Sequence, residues 1–166
     1  MKTIVLTGMM GAGKTSAGKL LAEKLGCVFI DSDLTVEQTE QISISEIFEK
    51  FGEDYFREKE FQTIQKILAP EDMVIALGGG AFENENIRKI LIQNAFVVYL
   101  ETSPETIYKR IKNDTSRPLL KNNMTTEKIS QIINKRKKNY KLATHTVITD
   151  NKSTEEIVSE IIKCVY

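Results

Sequence analysis

The chain has 166 residues, about the length of one domain. Its 41% hydrophobic and 28% charged residues suit a soluble globule and exclude collagen-like and disordered classes; at this size folding removes roughly 70% of the unfolded surface from water, enough for a core without disulfide or metal staples. Lys and Arg total 23, as do Asp and Glu, and a net charge of zero speaks against a nucleic-acid binder that acts through bulk charge.

Residues 3–7 form a short β-branched apolar run, the pattern of a strand buried on both faces. Residues 14–25 read as a helix with Ala17, Leu20, Leu21 and Leu25 inward, closed by Gly26 where a left-handed cap is wanted. A second strand covers 28–30. Ser43 opens a capping box with Glu46, and Ile44, Ile47, Phe48 and Phe51 follow at helical spacing. A further helix is predicted over 53–68. Pro70 breaks the chain before a third strand at 73–77, which runs into Gly78, Gly79 and Gly80. The rhythm continues with a helix at 84–94, a strand at 95–100 and a helix at 104–112 with Pro104 in its first turn. Residues 113–123 are polar, contain Pro118 and lack periodicity, as a loop does. A long helix at 125–142, a strand at 146–149 and a helix at 153–165 complete the chain. Five strands separated by helices predict an α/β fold: a parallel sheet covered on both faces, in a single domain over 1–166.

No apolar run approaches the roughly 20 residues of a membrane span, and the opening segment is too short for a signal-peptide core. Cys27 and Cys164 match no metal or redox spacing, which favours a reducing cytoplasm. Residues 31–60 hold ten acidic side chains against three basic ones, and 117–141 hold eight basic ones against Glu127. A solvated helix face accounts for this asymmetry; a cationic segment that closes over an anionic ligand is the functional alternative.

Gly8-Met9-Met10-Gly11-Ala12-Gly13-Lys14-Thr15 satisfies G-x-x-x-x-G-K-[ST], with a buried strand leading in and an amphipathic helix leading out. The glycines let backbone N–H groups converge on phosphate oxygens, and the helix N-terminus adds partial positive charge. Lys14 would reach the β- and γ-phosphates, and the Thr15 hydroxyl would ligate Mg²⁺. Asp31 and Asp33 lie just past the second strand, where the carboxyl ends of a parallel sheet line the ligand crevice. One carboxylate can organise Mg²⁺ and the other accept a proton from an attacking hydroxyl, and an Asp cap on a following helix is the structural alternative. Arg57 shares a face with Phe61, Ile64 and Leu68, which calls for a ligand or a salt bridge to Glu53 or Glu60. Gly78–Gly80 suits backbone packed against a ligand, or a simple turn.

These residues resemble shikimate kinase over essentially the whole chain: the phosphate loop, Asp31-Ser32-Asp33, Gly52-Glu53-Asp54-Tyr55-Phe56-Arg57 with Glu60, Val74 through Gly80, Arg117-Pro118-Leu119-Leu120, and Arg136 with Tyr140. The resemblance implies a fold similar to nucleoside monophosphate kinases, with five parallel strands ordered 2-3-1-4-5 and a mobile lid at about 113–123. It implies transfer of the γ-phosphoryl of ATP to the 3-hydroxyl of shikimate, a step of chorismate and aromatic amino acid biosynthesis. Gly11, Ala12, Gly13, Lys14, Thr15 and Ser16 would hold the phosphates, with Thr15 on Mg²⁺ and Asp31 in its outer shell. Asp33 would bind ring hydroxyls and act as base or orienter, within a substrate-binding helical region at about 33–61. Arg57 and Arg136 would clamp the carboxylate, and Gly79 and Gly80 would contribute N–H groups. Arg117 would come from the lid to neutralise the phosphoryl, and Arg110 would stack on adenine. The implied partners are shikimate and ATP, with no nucleic acid or membrane, for a monomer.

A kinase of gluconate or a nucleoside monophosphate would share the phosphate loop and lid without needing Asp33, Arg57, Gly79 and Arg136 together. A GTP switch usually carries N-K-x-D and D-x-x-G; Asn151-Lys152-Ser153-Thr154 lacks the Asp, and D-x-x-G is absent. His145 stands alone before a strand and reads as structural, and Tyr140 as a packing residue.

Overall fold

The computed structural model describes residues 2–68, 72–112 and 124–166. β1 (Ile4–Thr7) is buried along its length, as its unbroken apolar run requires. It occupies the middle of a sheet ordered β2-β3-β1-β4-β5, with β2 (Val28–Asp31), β3 (Met73–Ala76), β4 (Phe96–Glu101) and β5 (His145–Ile148), every neighbouring pair parallel. This is the order expected from the resemblance. The register aligns the strand ends: Leu6 and Asp31 both pair with Ala76, so the carboxyl ends of β1, β2 and β3 are level. The segments leaving those three strands therefore emerge side by side.

Both faces of the sheet are covered. On one, α1 (Lys14–Leu25) and α7 (Thr154–Val165) bury Ala17, Leu21, Val158 and Ile161 against Leu6 and Val98. On the other, α4 (Glu85–Asn94) and α6 (Thr126–Tyr140) bury Leu91 and Tyr140 against Ile75, Val97 and Tyr99, and the Tyr99 and Tyr140 rings stack with centroids 4.5 Å apart. α5 (Pro104–Ile111) and α6 meet through Ile107 and Ile129 beneath Met9 of the phosphate loop.

The acidic stretch after β2 folds into two further helices around a core of its own, Val36, Ile47 and Phe56. α2 (Ser32–Glu40) falls in the helical region that the resemblance implies at about 33–61, but periodicity alone does not predict it, because Val36 is its one buried apolar side chain. Its stability comes from elsewhere: Asp31 caps it, and its last residue, Glu40, accepts from the Tyr55 hydroxyl at 2.7 Å and pairs with Lys59 at 3.1 Å. The next helix, α3 (Ile44–Ile67), carries the predicted capping box of Ser43 and Glu46 and contains both predicted helices. One residue separates them, Gly52, at φ 83° and ψ 175°. A side chain is strained in that region, so Gly52→Ala should cost on the order of 1–3 kcal/mol, read as a lower urea midpoint at unchanged slope.

Candidate active site

The phosphate loop turns from β1 into α1 at Gly13, whose φ of 93° favours glycine. Lys14 begins the helix, but its side chain runs back along the loop, and Nζ donates to the Gly8 and Met9 carbonyls at 2.9 and 3.0 Å. Ala12 is buried, and its N–H donates to the Met9 carbonyl at 3.1 Å, closing the turn. The Thr15 hydroxyl donates to Asp31 Oδ2 at 2.9 Å. The other oxygen of Asp31 accepts from the N–H groups of Asp33 and Leu34 at 3.1 and 3.4 Å. Asp31 is thus a helix cap, the structural alternative the sequence offered, through one oxygen, and the partner of Thr15 through the other. Arg110, reaching across from α5, donates to the Gly11 carbonyl at 3.1 Å.

Lys14, Thr15, Ser16, Asp31, Asp33 and Arg110 share a cavity of about 260 Å³, which Gly79 also lines. A threonine hydroxyl beside a carboxylate is an oxygen-only donor set that suits a hard cation. Among the described residues no three His, Cys, Asp or Glu side chains group for a metal cage. That pattern fits Mg²⁺, which takes one or two protein oxygens and completes its shell with water and phosphate.

Past β3 the chain passes close to three other elements. The Gly78 N–H donates to the buried Ser32 hydroxyl at 2.9 Å, and a side chain at 78 would run into the Asp33 carboxylate. A side chain at Gly80 would stand 3.2 Å from both terminal nitrogens of Arg57. Arg136 on α6 donates to the Gly79 carbonyl at 2.6 Å. The resemblance implied N–H groups from Gly79 and Gly80; what the structure shows is a carbonyl engaged by Arg136 at one and a close approach of Arg57 at the other. Arg57, Arg136 and Gly80 line a second cavity, of about 450 Å³.

Arg57 meets both of its candidate acidic partners. Nε and Nη2 donate to Glu53 at 3.3 and 3.1 Å, and Nη1 donates to Glu60 at 2.9 Å. Burial pulls the Arg57 pKa down, but Glu60 and Glu53 outweigh it and the net shift is upward, so the cation is secure. Glu60 is only 1% exposed. Its burial raises the carboxyl pKa, and the opposing pull of Arg57 does not restore it. Sequence reasoning took Glu60 only as a bland partner and missed Ser32; acids at i−4 and i+3 of Arg57 were a legible signal for the first, and nothing local marked the second.

Arg117 and the lid expected at 113–123 lie outside the described residues. Lys135, Lys137, Lys138 and Lys141 are exposed neighbours of Arg136. Tyr140 packs, as expected. His145 is not alone: its Nε2 lies 3.0 Å from the Cys164 thiol. No helix among the described residues is long and apolar enough to cross a membrane.

The family model for shikimate kinase matches residues 10–166. The chain belongs to the shikimate kinase family. A shikimate kinase of Sulfurihydrogenibium sp. is 44% identical over 162 residues, covering 98% of this chain and 96% of the relative. The solved shikimate kinase from Acinetobacter baumannii in complex with shikimate superposes with a TM-score of 0.93 at 35% identity, covering 99% of this chain and 93% of that one. A gluconokinase from Sinorhizobium meliloti, with a TM-score of 0.64 at 21% identity over 98% of this chain and 90% of its own, shares the fold. The chain is therefore an ATP-dependent kinase that phosphorylates shikimate, within aromatic amino acid biosynthesis.

The raised pKa of Glu60 has a consequence for this shikimate kinase. Between the ordinary value of 4.5 and the raised native one, the folded protein keeps a proton that the unfolded chain has released. That contribution to stability is complete below 4.5 and lost as pH rises through the native value. Denaturation of Glu60→Gln beside wild type should show wild type losing ground steadily as pH rises from about 4 into that window; a gap that ignores pH would refute the assignment.

Proposed function

We propose that phosphoryl transfer runs across the wall formed by Gly79 and Gly80. The supporting observation is the division of groups on its two sides: Lys14, Thr15 and Asp33 line one cavity, while Arg57 and Arg136 line the next. Gly11 through Ser16 hold the phosphates of ATP, with Arg110 at the adenine side. The Lys14 ammonium, now on two carbonyls, turns to the β- and γ-phosphates when they arrive. Thr15 would hold Mg²⁺, with Asp31 in its outer shell, and the ion would supply neutralisation of phosphate charge.

Shikimate has a carboxylate at one end and hydroxyls at the other. Arg57 and Arg136 take the carboxylate, each N–H···O⁻ bond orienting the ring. Asp33, held against Gly78 on the same row of strand ends, accepts a hydrogen bond from the 3-hydroxyl so that the hydroxyl oxygen's lone pair faces the γ-phosphoryl. The new O–P bond forms as the bond to ADP breaks, ADP leaves, and the hydroxyl proton is released toward Asp33. Glu60 and Glu53 keep the Arg57 fork in place before substrate arrives. The resemblance assigns Arg117, in a lid at about 113–123, the remaining charge neutralisation and the exclusion of water. The whole unit, with its substrate-binding helices at about 33–61, acts as one domain, a cytoplasmic monomer free of nucleic acid and membrane. Its two cysteines outside any disulfide support a reducing compartment, and its zero net charge speaks against nucleic acid.

ADP release measured side by side with shikimate, gluconate and AMP tests this function. Shikimate alone should give rapid turnover; equal rates with gluconate or AMP would defeat it. Arg57→Ala should raise KM for shikimate by roughly one to two decades, since a charge-assisted bond contributes about 1.5–3 kcal/mol, and leave KM for ATP within about twofold. The opposite split would remove Arg57 from the carboxylate site.

A further inference from the structure

Among the described residues, two buried side-chain oxygens have no hydrogen-bond partner: Oε1 of Glu60 and Oε1 of Glu83. Glu60 serves Arg57. Glu83 has no role in the proposed transfer, yet it lines the cavity of Arg57 and Arg136. It closes the short 3₁₀ turn Ala81–Glu83 that follows the glycines. Arg88 of α4 anchors that turn from behind, donating to the Phe82 and Glu83 carbonyls at 2.8 and 3.1 Å. From the other side, Asn139 of α6 donates through Nδ2 to Glu83 Oε2 at 3.0 Å.

Arg136, Asn139 and Tyr140 stand at i, i+3 and i+4, so one face of α6 meets the segment 79–83. Arg136 reaches the Gly79 carbonyl at 2.6 Å, and the Tyr140 hydroxyl is 3.5 Å from the same oxygen. α6 buries only Ile129 and Tyr140 completely. At the turn that carries Arg136, Tyr140 stacks on Tyr99, and the Asn139–Glu83 bond adds a polar tie to a segment that Arg88 anchors. A carboxylate kept with one oxygen buried and unpaired is costly; its other oxygen, bonded to Asn139, ties it to α6.

We infer that Glu83 and Asn139 are a positioning pair, which fixes the turn of α6 so that Arg136 meets the substrate carboxylate. The inference rests on the assignment of Arg136 to that carboxylate. Isosteric exchange tests it in the full-length enzyme. Asn139→Asp sets two carboxylates against each other and should raise KM for shikimate by about tenfold, the size of a direct coupling. KM for ATP and kcat should stay within about twofold. Adding Glu83→Gln to it restores one donor and one acceptor with the same total charge, and should return KM for shikimate to within about twofold of wild type. Failure of the double variant to recover, or an equal rise in KM for ATP, would overturn the pair. Wild type and Arg136→Ala are the controls: no turnover of shikimate by wild type, or an unchanged KM in Arg136→Ala, would instead sink the underlying assignment.

Discussion

Close approach at Gly78, Gly79 and Gly80 is the constraint on which the site depends. Three residues without side chains stand at the carboxyl end of β3, and a different element presses on each. Asp33 from the start of α2 fills the space at 78, Arg136 reaches the carbonyl of 79, and Arg57 lies over 80. A methyl group at 78 or 80 would push a charged group away from its position. The level strand ends bring those elements near one another; the missing side chains let them touch.

Charge is arranged with the same economy of distance. Two arginines near one cavity would repel each other and any further cation, and a local partner holds each in place before a ligand arrives. Arg57 has Glu53 on its exposed side and Glu60 on its buried side; Arg136 rests on a carbonyl, and Glu83 lies on the neighbouring turn. A buried acid paired with a single arginine leaves the fork oriented and still charged. Electrostatic preorganisation of this kind reduces the reorganisation that an incoming carboxylate must drive.

Much of the fold was legible because its signals are local. The apolar runs of β1, β3 and β4, the glycine at the end of α1, the capping box at Ser43 and Pro104 at the first turn of α5 each act within a few residues. α2 escaped the periodic reading since a helix held by one apolar contact, a cap and long-range partners at Tyr55 and Lys59 has no period to read. The site divides the same way. The phosphate loop, Asp31, Asp33 and Arg57 stood out by type and spacing. Ser32 did not, because its role is a hydrogen bond to a backbone 46 residues away. The pairing of His145 with Cys164, 19 residues apart, was equally invisible.

The sequence by itself determined which residues carry the chemistry, the alternation of strand and helix, and the family to which both belong, since motif order and apolar period are properties of the chain alone. Only the tertiary structure decided that Asp31 serves two masters, that Glu60 is the buried partner of Arg57, and that Glu83 faces Asn139. Each of those depends on how deeply a polar group is removed from water and on which group then meets it. Burial and long-range pairing arise only when the helices close over the sheet, and no local pattern encodes them.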